Sequence, residues 1–376
     1  MPSSPIVSAR YLMTGPAGAR TTINNREVDY FCGTGYYNLH ANAAIIEAAC
    51  DATQHYGIGA ATSRAGFGET SLMLEVEEKA AQFFAAERAM YFVSGYLGNA
   101  ILLQGLSPDY EIIFVDEQSH YSVIDGAAIA RKPTVTFAHC DPVDLAEKLR
   151  VNLKGGQRPL VITDGIFPNS GVIPPLQQYD KLLSSIEGAI LCVDDAHAVG
   201  VIGELGRGSL EYCDIEGPRR YSCGTFSKAF GGHGGVIAGG AEFIESIKRN
   251  SHITSGASAA PIPAAAASAC AIELLNSRPE MRQKLWANVA YAKNAFRQLG
   301  FDFIPDTPVP IICLSDKTLD LESIQKSLFE RGIATLYSPF GSYSCVPEGG
   351  SIRIAIFSSH SKEQIDRLVH EADDFI

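Results

Sequence analysis

The stretch Ala189-Ile-Leu-Cys-Val-Asp194-Asp-Ala-His197-Ala-Val-Gly200 decides how this chain is read. An apolar run ends abruptly in two carboxylates, and a histidine follows three residues after the first. A short run without polar interruption is what a strand buried on both faces of a mostly parallel sheet requires. In open α/β sheets ligands bind outside the carboxyl ends of such strands, and Asp194 falls at one of those ends. Comparable runs at Ala89–Val93, Ile112–Val115, Thr134–Ala138, Leu160–Thr163 and Gly235–Gly239 each predict a strand. Helical patterns separate them near Leu72–Phe84, Asn99–Leu106, Ser122–Ala130, Val143–Val151 and Leu176–Ile186. One helix start is well marked, with Asp141 as N-cap, Pro142 in the first turn and Asp144 three residues after the cap. The alternation predicts an α/β fold.

Past about residue 278 the pattern changes. A long helical stretch, Met281–Leu299, leads through the turn-rich Phe301–Pro310 into a strand at Val309–Leu314. A helix at Leu319–Arg331 and a strand at Ile352–Ile356 follow. The final helix opens with Ser361-x-x-Gln364, a capping box, and Ile365, Leu368 and Val369 mark its apolar face. The expected organisation is an N-terminal arm (1–45), a large sheet domain (46–278) and a small α+β C-terminal domain (279–376).

Composition narrows the function. At 376 residues with 46% hydrophobic and 19% charged side chains, the chain can bury a sizeable core and is not of a disordered class. Thirty Lys and Arg against 42 Asp and Glu leave a net charge of −12, which repels nucleic-acid phosphates and anionic membranes. The most apolar run, Ala257–Leu275, is mostly Ala interrupted by Pro261 and Pro263, too weak to span a bilayer. The first 20 residues carry no continuous apolar core of signal-peptide length. Nine scattered cysteines without a C-x-x-C pair predict reduced thiols and a cytoplasmic location.

The sharpest chemical signal is Gly224-Thr-Phe-Ser-Lys228-Ala-Phe-Gly-Gly232. A lysine between a small hydroxyl residue and a Gly-rich turn, just before a buried strand, is oddly placed for a solubilising charge. Alone it reads equally as an exposed loop lysine. As a Schiff-base lysine it would need an enclosed site that lowers its pKa. Lys228 and Asp194 together suit pyridoxal 5'-phosphate, which needs a lysine to hold it and a carboxylate to keep its ring nitrogen protonated.

Two more segments fit that cofactor. Ser94-Gly-Tyr-Leu-Gly-Asn99 lies between a strand and a helix, so free N–H groups at Gly95 and Tyr96 would face a phosphate. His120, just after another strand end, is either a surface residue or a flat ring stacked on the pyridine. Arg353, inside the apolar Ser351-Ile-Arg-Ile-Ala-Ile-Phe357, is either an edge residue or a bidentate carboxylate clamp. No phosphate-binding P-loop, dinucleotide fingerprint, metal-ligand spacing or G-x-S-x-G elbow occurs.

From about Asp29 to Asp374 the chain resembles the α-oxoamine synthases, a group of fold-type I pyridoxal phosphate enzymes. The most specific stretch is Val193-Asp-Asp-Ala-His-Ala-Val-Gly-Val-Ile-Gly-Glu-Leu-Gly-Arg-Gly208; Thr225-Phe-Ser-Lys228, Ser94-Gly-Tyr-x-x-Asn99, Ser119-His120 and Arg353 fall in family order. The resemblance implies a large, mostly parallel seven-stranded sheet domain with a small α+β domain. It makes Lys228 the Schiff-base lysine and general base, Asp194 the ring-nitrogen partner and His197 the donor to the ring oxygen. His120 becomes the stacking ring, and Ser94, Gly95, Tyr96 and Thr225 the phosphate neighbourhood. Arg353 becomes the substrate-carboxylate anchor. The resemblance also implies a homodimer with the site at the interface, where a hydroxyl of Thr254, Ser255 or Ser258 would reach the neighbour's phosphate.

Three positions depart from the family. Gly35-Tyr-Tyr-Asn38 stands where the family has Asn-Tyr-Leu-Gly, and Phe167-Pro-Asn-Ser-Gly171 stands for a Phe-Ser-Met-Asp-Gly-like turn. Met73 replaces a family histidine. The expected reaction is condensation of an amino acid with an acyl-CoA, with decarboxylation, to an α-amino ketone. An aminotransferase on the same fold is the alternative, and a non-catalytic subunit is disfavoured by Lys228, Asp194 and His197.

Overall fold

The computed structural model describes residues 11–301 and 305–374. The N-terminal arm contributes a hairpin of β1 (Arg20–Ile23) and β2 (Arg26–Tyr30). The large sheet follows, with β3 (Arg88–Phe92), β4 (Ile112–Asp116), β5 (Thr134–Phe137), β6 (Pro159–Asp164), β7 (Ile190–Asp194), β8 (Arg220–Thr225) and β9 (Gly235–Gly239). Their order is β3-β9-β8-β7-β6-β4-β5. β9 runs antiparallel to both neighbours, and every other pairing is parallel. The mostly parallel seven-stranded sheet is thus as expected.

The predicted strands of this sheet lie within a residue of the observed ones, because their composition leaves few other ways to satisfy the backbone. Ile113–Val115, Leu160–Ile162 and Ile190–Val193 are almost wholly buried. Each large apolar side chain buried this way contributes about 1.5–3 kcal/mol. β8 was not expected. Its outer half, Arg220-Tyr-Ser222, is polar: Arg220 pairs with Asp180 and Tyr221 stacks on Phe243 at 4.2 Å. Only Cys223-Gly-Thr225 is buried, so no apolar run announces the strand.

The Ala-rich run read as too weak for a membrane forms most of the helix Ile262–Ser277, packed against the helices Ala43–Tyr56 and Ser71–Phe84. Among the described residues no helix is long and apolar enough to cross a membrane. The N-cap of Asp141 and the capping box of Ser361 and Gln364 are both formed.

In the C-terminal part, β10 (Ile311–Leu314), β11 (Ile333–Ala334), β12 (Leu336–Ser338) and β13 (Ser351–Ala355) follow the helix Pro279–Gln298. β10, β13 and β12 form an antiparallel sheet with β13 in the middle. Residues 302–304 of the expected turn-rich segment lie outside the described residues. β2 pairs in parallel with β11, and Ala355 N–H donates to the Phe31 carbonyl. The first and last parts of the chain therefore close on each other. This places residues 33–36 beside β13.

Candidate active site

Parallel strands put their carboxyl ends at one edge of the sheet, where the apolar runs give way to polar residues. β6 and β7 end in Asp164 and Asp194, which are neighbours in register, and β8 ends in Thr225. Together with residues from the arm and the C-terminal sheet, these line a cavity of about 620 Å³. Ser94, Gly95, Tyr96, His120, Asp194, His197, Thr225, Lys228 and Arg353 all border it. Every site residue expected from the sequence is thus brought to one place. Thr254, Ser255 and Ser258, expected to act on a neighbouring chain's phosphate, lie outside this chain's own cavity, and the hydroxyls of Thr254 and Ser255 donate to the carbonyls of Ser251 and His252.

Asp194 is almost fully buried and held on both oxygens. Oδ2 accepts from Asn99 Nδ2 at 2.5 Å and from Ser122 Oγ at 3.2 Å, and Oδ1 accepts from the Ala196 amide at 3.0 Å. Three donors fix the carboxylate in place while it faces the cavity. Lys228 sits in the turn between β8 and β9. Burial pushes its amine down to about 8, against the pull of Asp194 and with a further push from Arg353. The turn is tight enough that a Cβ on Gly231 (φ 68°) would lie 2.2 Å from the His40 amide nitrogen, so only glycine lets the arm approach.

His120 caps the helix Tyr121–Ala130, with Nδ1 2.7 Å from Ser122 Oγ and its amide donating to Asp164 Oδ2 at 2.9 Å. Burial holds its imidazole below the usual range, and Lys228 adds to this while Asp194 opposes it. His197 lies well below the usual range, first through burial and then through Lys228, Arg353 and His120. Its Nδ1 is 2.9 Å from the Tyr36 hydroxyl. Asp164 is buried beside Asp194, and desolvation followed by that neighbouring charge raises it well above the carboxylate range.

At the helix start near Gly95, the expected pair of free amides is corrected. Tyr96 N–H is taken by the Ser94 hydroxyl at 3.3 Å because Ser94 acts as the local N-cap, which leaves the Gly95 amide. A Cβ at Gly95 would lie 2.6 Å from Thr225 Cβ, so the helix start and the end of β8 touch only because residue 95 is glycine. The Thr225 hydroxyl donates to the Gly234 carbonyl and accepts from the Ser227 amide.

Arg353 reaches the cavity from β13. Nε donates to the Pro168 carbonyl at 2.7 Å and Nη1 to the Gly33 carbonyl at 3.2 Å, while buried Nη2 has no partner among the described residues. Of the three departures, only the Phe167–Gly171 turn borders the cavity, through Pro168 and Asn169. Thr34 lines it in place of Gly35, and Met73 is buried in the core.

These residues fit pyridoxal phosphate. Lys228 with its partly deprotonated amine, Asp194 with its pinned carboxylate, and Arg353, one of whose guanidinium nitrogens has no partner among the described residues, border one space beside a glycine-opened helix start. Sequence reading missed Asp164, Ser122 and Tyr36. Asp164 had a signal, since it follows Leu160–Thr163 as Asp194 follows its own apolar run. Tyr36 meets His197 across 161 residues of chain, and nothing local announces that contact.

The pattern of the family described as aminotransferase class I and II matches residues 32–371. The 8-amino-7-oxononanoate synthase of Thermoanaerobacter pseudethanolicus is 33% identical over 357 residues, which cover 94% of this chain and 89% of that protein. The protein of the same name from Treponema denticola is 32% identical over 359 residues, covering 95% and 90%. Among solved structures, Sphingomonas wittichii serine palmitoyltransferase superposes with a TM-score of 0.87 at 25% identity, covering 97% of this chain and 91% of that one. The S. paucimobilis serine palmitoyltransferase with a bound PLP–myriocin aldimine gives 0.89 at 24% identity, covering 97% and 92%, and so shares the fold. With that match along nearly its whole length, the chain belongs to the aminotransferase class I and II family and, within it, to the α-oxoamine synthases.

Proposed function

We propose that this chain is a pyridoxal 5'-phosphate enzyme that condenses an amino acid with an acyl-CoA, releasing free thiol and CO2 and forming an α-amino ketone. One observation carries the reading: the Lys228 amine, the pinned Asp194 carboxylate and the unpartnered Arg353 N–H, from three separate elements, border a single cavity. The similarity to 8-amino-7-oxononanoate synthases supports it.

When bound, pyridoxal phosphate supplies an aldehyde carbon for a lysine amine and an electron-accepting ring. Lys228, with its pKa near 8, holds enough neutral amine near pH 7.5 to attack a carbonyl and to take the proton from the amino acid's Cα. Asp194 offers fixed negative charge to a ring nitrogen, kept in place by Asn99, Ser122 and the Ala196 amide. The Gly95 amide and the helix start behind it favour a phosphate. His120 supplies a neutral flat ring to the cavity wall. Arg353 clamps the amino acid's carboxylate with Nη2 while Nε and Nη1 stay tied to backbone carbonyls.

The working unit in this proposal is a homodimer, and the exposed apolar side chains Tyr56, Ile58, Phe67 and Leu74 support it as a surface for a second copy. The compartment proposed is the cytoplasm, where nine unbridged cysteines would stay reduced. The test is a panel of amino acids and acyl-CoA esters scored for free thiol and CO2. One pair giving both in equal amounts is the expected result. No thiol from any pair, with amino-group transfer to a keto acid instead, would replace this reading by the aminotransferase.

A further inference from the structure

We propose that Tyr36 is a positioning residue that fixes the tautomer of His197, so that the imidazole presents Nε2–H to the cavity. The inference rests on the reading above only in placing a ring oxygen of the cofactor as the acceptor; the tautomer itself follows from the protein.

Tyr36 is fully buried, and its hydroxyl lies 2.9 Å from His197 Nδ1. Two arrangements are open: the hydroxyl donates to Nδ1, or Nδ1–H donates to the hydroxyl. In the second, the hydroxyl's own proton needs another acceptor. Among the described residues the hydroxyl has no hydrogen-bond acceptor besides His197, and the charged group beside it, Arg353, has only donors. A buried O–H left without an acceptor costs about 1–3 kcal/mol. The first arrangement leaves nothing unpaired. Burial also raises the Tyr36 hydroxyl to about 12, so it keeps its proton, although Arg353 pulls the other way. His197, surrounded by Lys228, Arg353 and His120, stays neutral and carries one N–H only. With Nδ1 accepting, that N–H is on Nε2, the nitrogen left for a ligand of the cavity that His197 lines.

Without the hydroxyl the two tautomers compete. In the wrong one, Nε2 sets a lone pair against an electron-rich ring oxygen. Tyr36 is 161 residues away in sequence and does not itself line the cavity, so its effect on the tautomer is exerted at His197.

The test is 15N spectroscopy of the full-length histidine-labelled protein, with and without added pyridoxal phosphate, using His197→Asn to assign the signal. Wild type should show Nε2 protonated and Nδ1 unprotonated, and Tyr36→Phe should shift the signal toward a mixture. Pyridoxal phosphate affinity of Tyr36→Phe should fall by roughly three- to tenfold, the loss of one net hydrogen bond. An Nδ1–H signal in wild type overturns the proposal, as does an unaltered tautomer in Tyr36→Phe. If the variant does not fold, the wild-type spectrum alone decides. None of these readouts needs turnover, so they stand or fall separately from the condensation reaction.

Discussion

The floor of the cavity and its wall are built on different terms. The floor consists of the ends of β6, β7 and β8, whose polar groups are held by protein partners: Asp194 takes three donors, from Asn99, Ser122 and Ala196, and Thr225 closes on Gly234 and Ser227. The wall comes from β13 and the arm, and it leaves Arg353 Nη2 unpaired among the described residues. A saturated floor is preorganised and suits a resident group. An unsaturated donor on a separately built wall suits something that comes and goes. In the proposed reading, the difference teaches that cofactor and substrate are met by different parts of the chain.

That division can be broken by experiment. The largest effect should come from the floor. Asp194→Ala removes the fixed charge, and exchange of the amino acid's α-proton should slow by roughly a hundredfold or more, as for loss of one preorganised electrostatic contact. Deuterium incorporation measures it, and wild-type exchange would mean that the floor is misassigned. Next comes the wall. Arg353→Ala should weaken amino-acid binding by about 1.5–3 kcal/mol, on the order of ten- to a hundredfold, while pyridoxal phosphate affinity stays near wild type. Spectral titration with each ligand separates the two, and a parallel loss of both affinities would erase the distinction.

Two smaller effects sharpen it. The lysine amine is the reactive form, so attachment of pyridoxal phosphate to the cofactor-free protein should speed up as pH rises and level off past a midpoint near 8. A midpoint near the usual lysine value of about 10.4 would mean that Lys228 is not desolvated. Pro168→Ser should change amino-acid affinity by less than about tenfold, because the Arg353 contact is to the backbone carbonyl of residue 168. A larger change would give the proline ring itself a part in the pocket.

The floor was also the legible half. Strands buried on both faces must be apolar, so an aspartate just after such a run marks the sheet edge, and Asp194 and Lys228 could be placed from sequence. β8 escaped because its outer half, Arg220-Tyr-Ser222, is polar and only half-buried, with Arg220 paired to Asp180 and Tyr221 stacked on Phe243, and so breaks the apolar pattern. The wall was legible in its one cation, since Arg353 interrupts an apolar strand. Its partners were not. Gly33 and Tyr36 reach Arg353 and His197 through tertiary closure of the arm on the C-terminal sheet, and Pro168 reaches Arg353 from the loop after β6; no local spacing encodes either.

The central claim is that the floor holds the cofactor through Lys228. Borohydride reduction of the protein with bound pyridoxal phosphate, followed by peptide mapping, tests it most directly. The account predicts one labelled peptide, carrying the label at Lys228 within Gly224–Gly232. A label on another lysine, or a protein that cannot be labelled after incubation with pyridoxal phosphate, would contradict it.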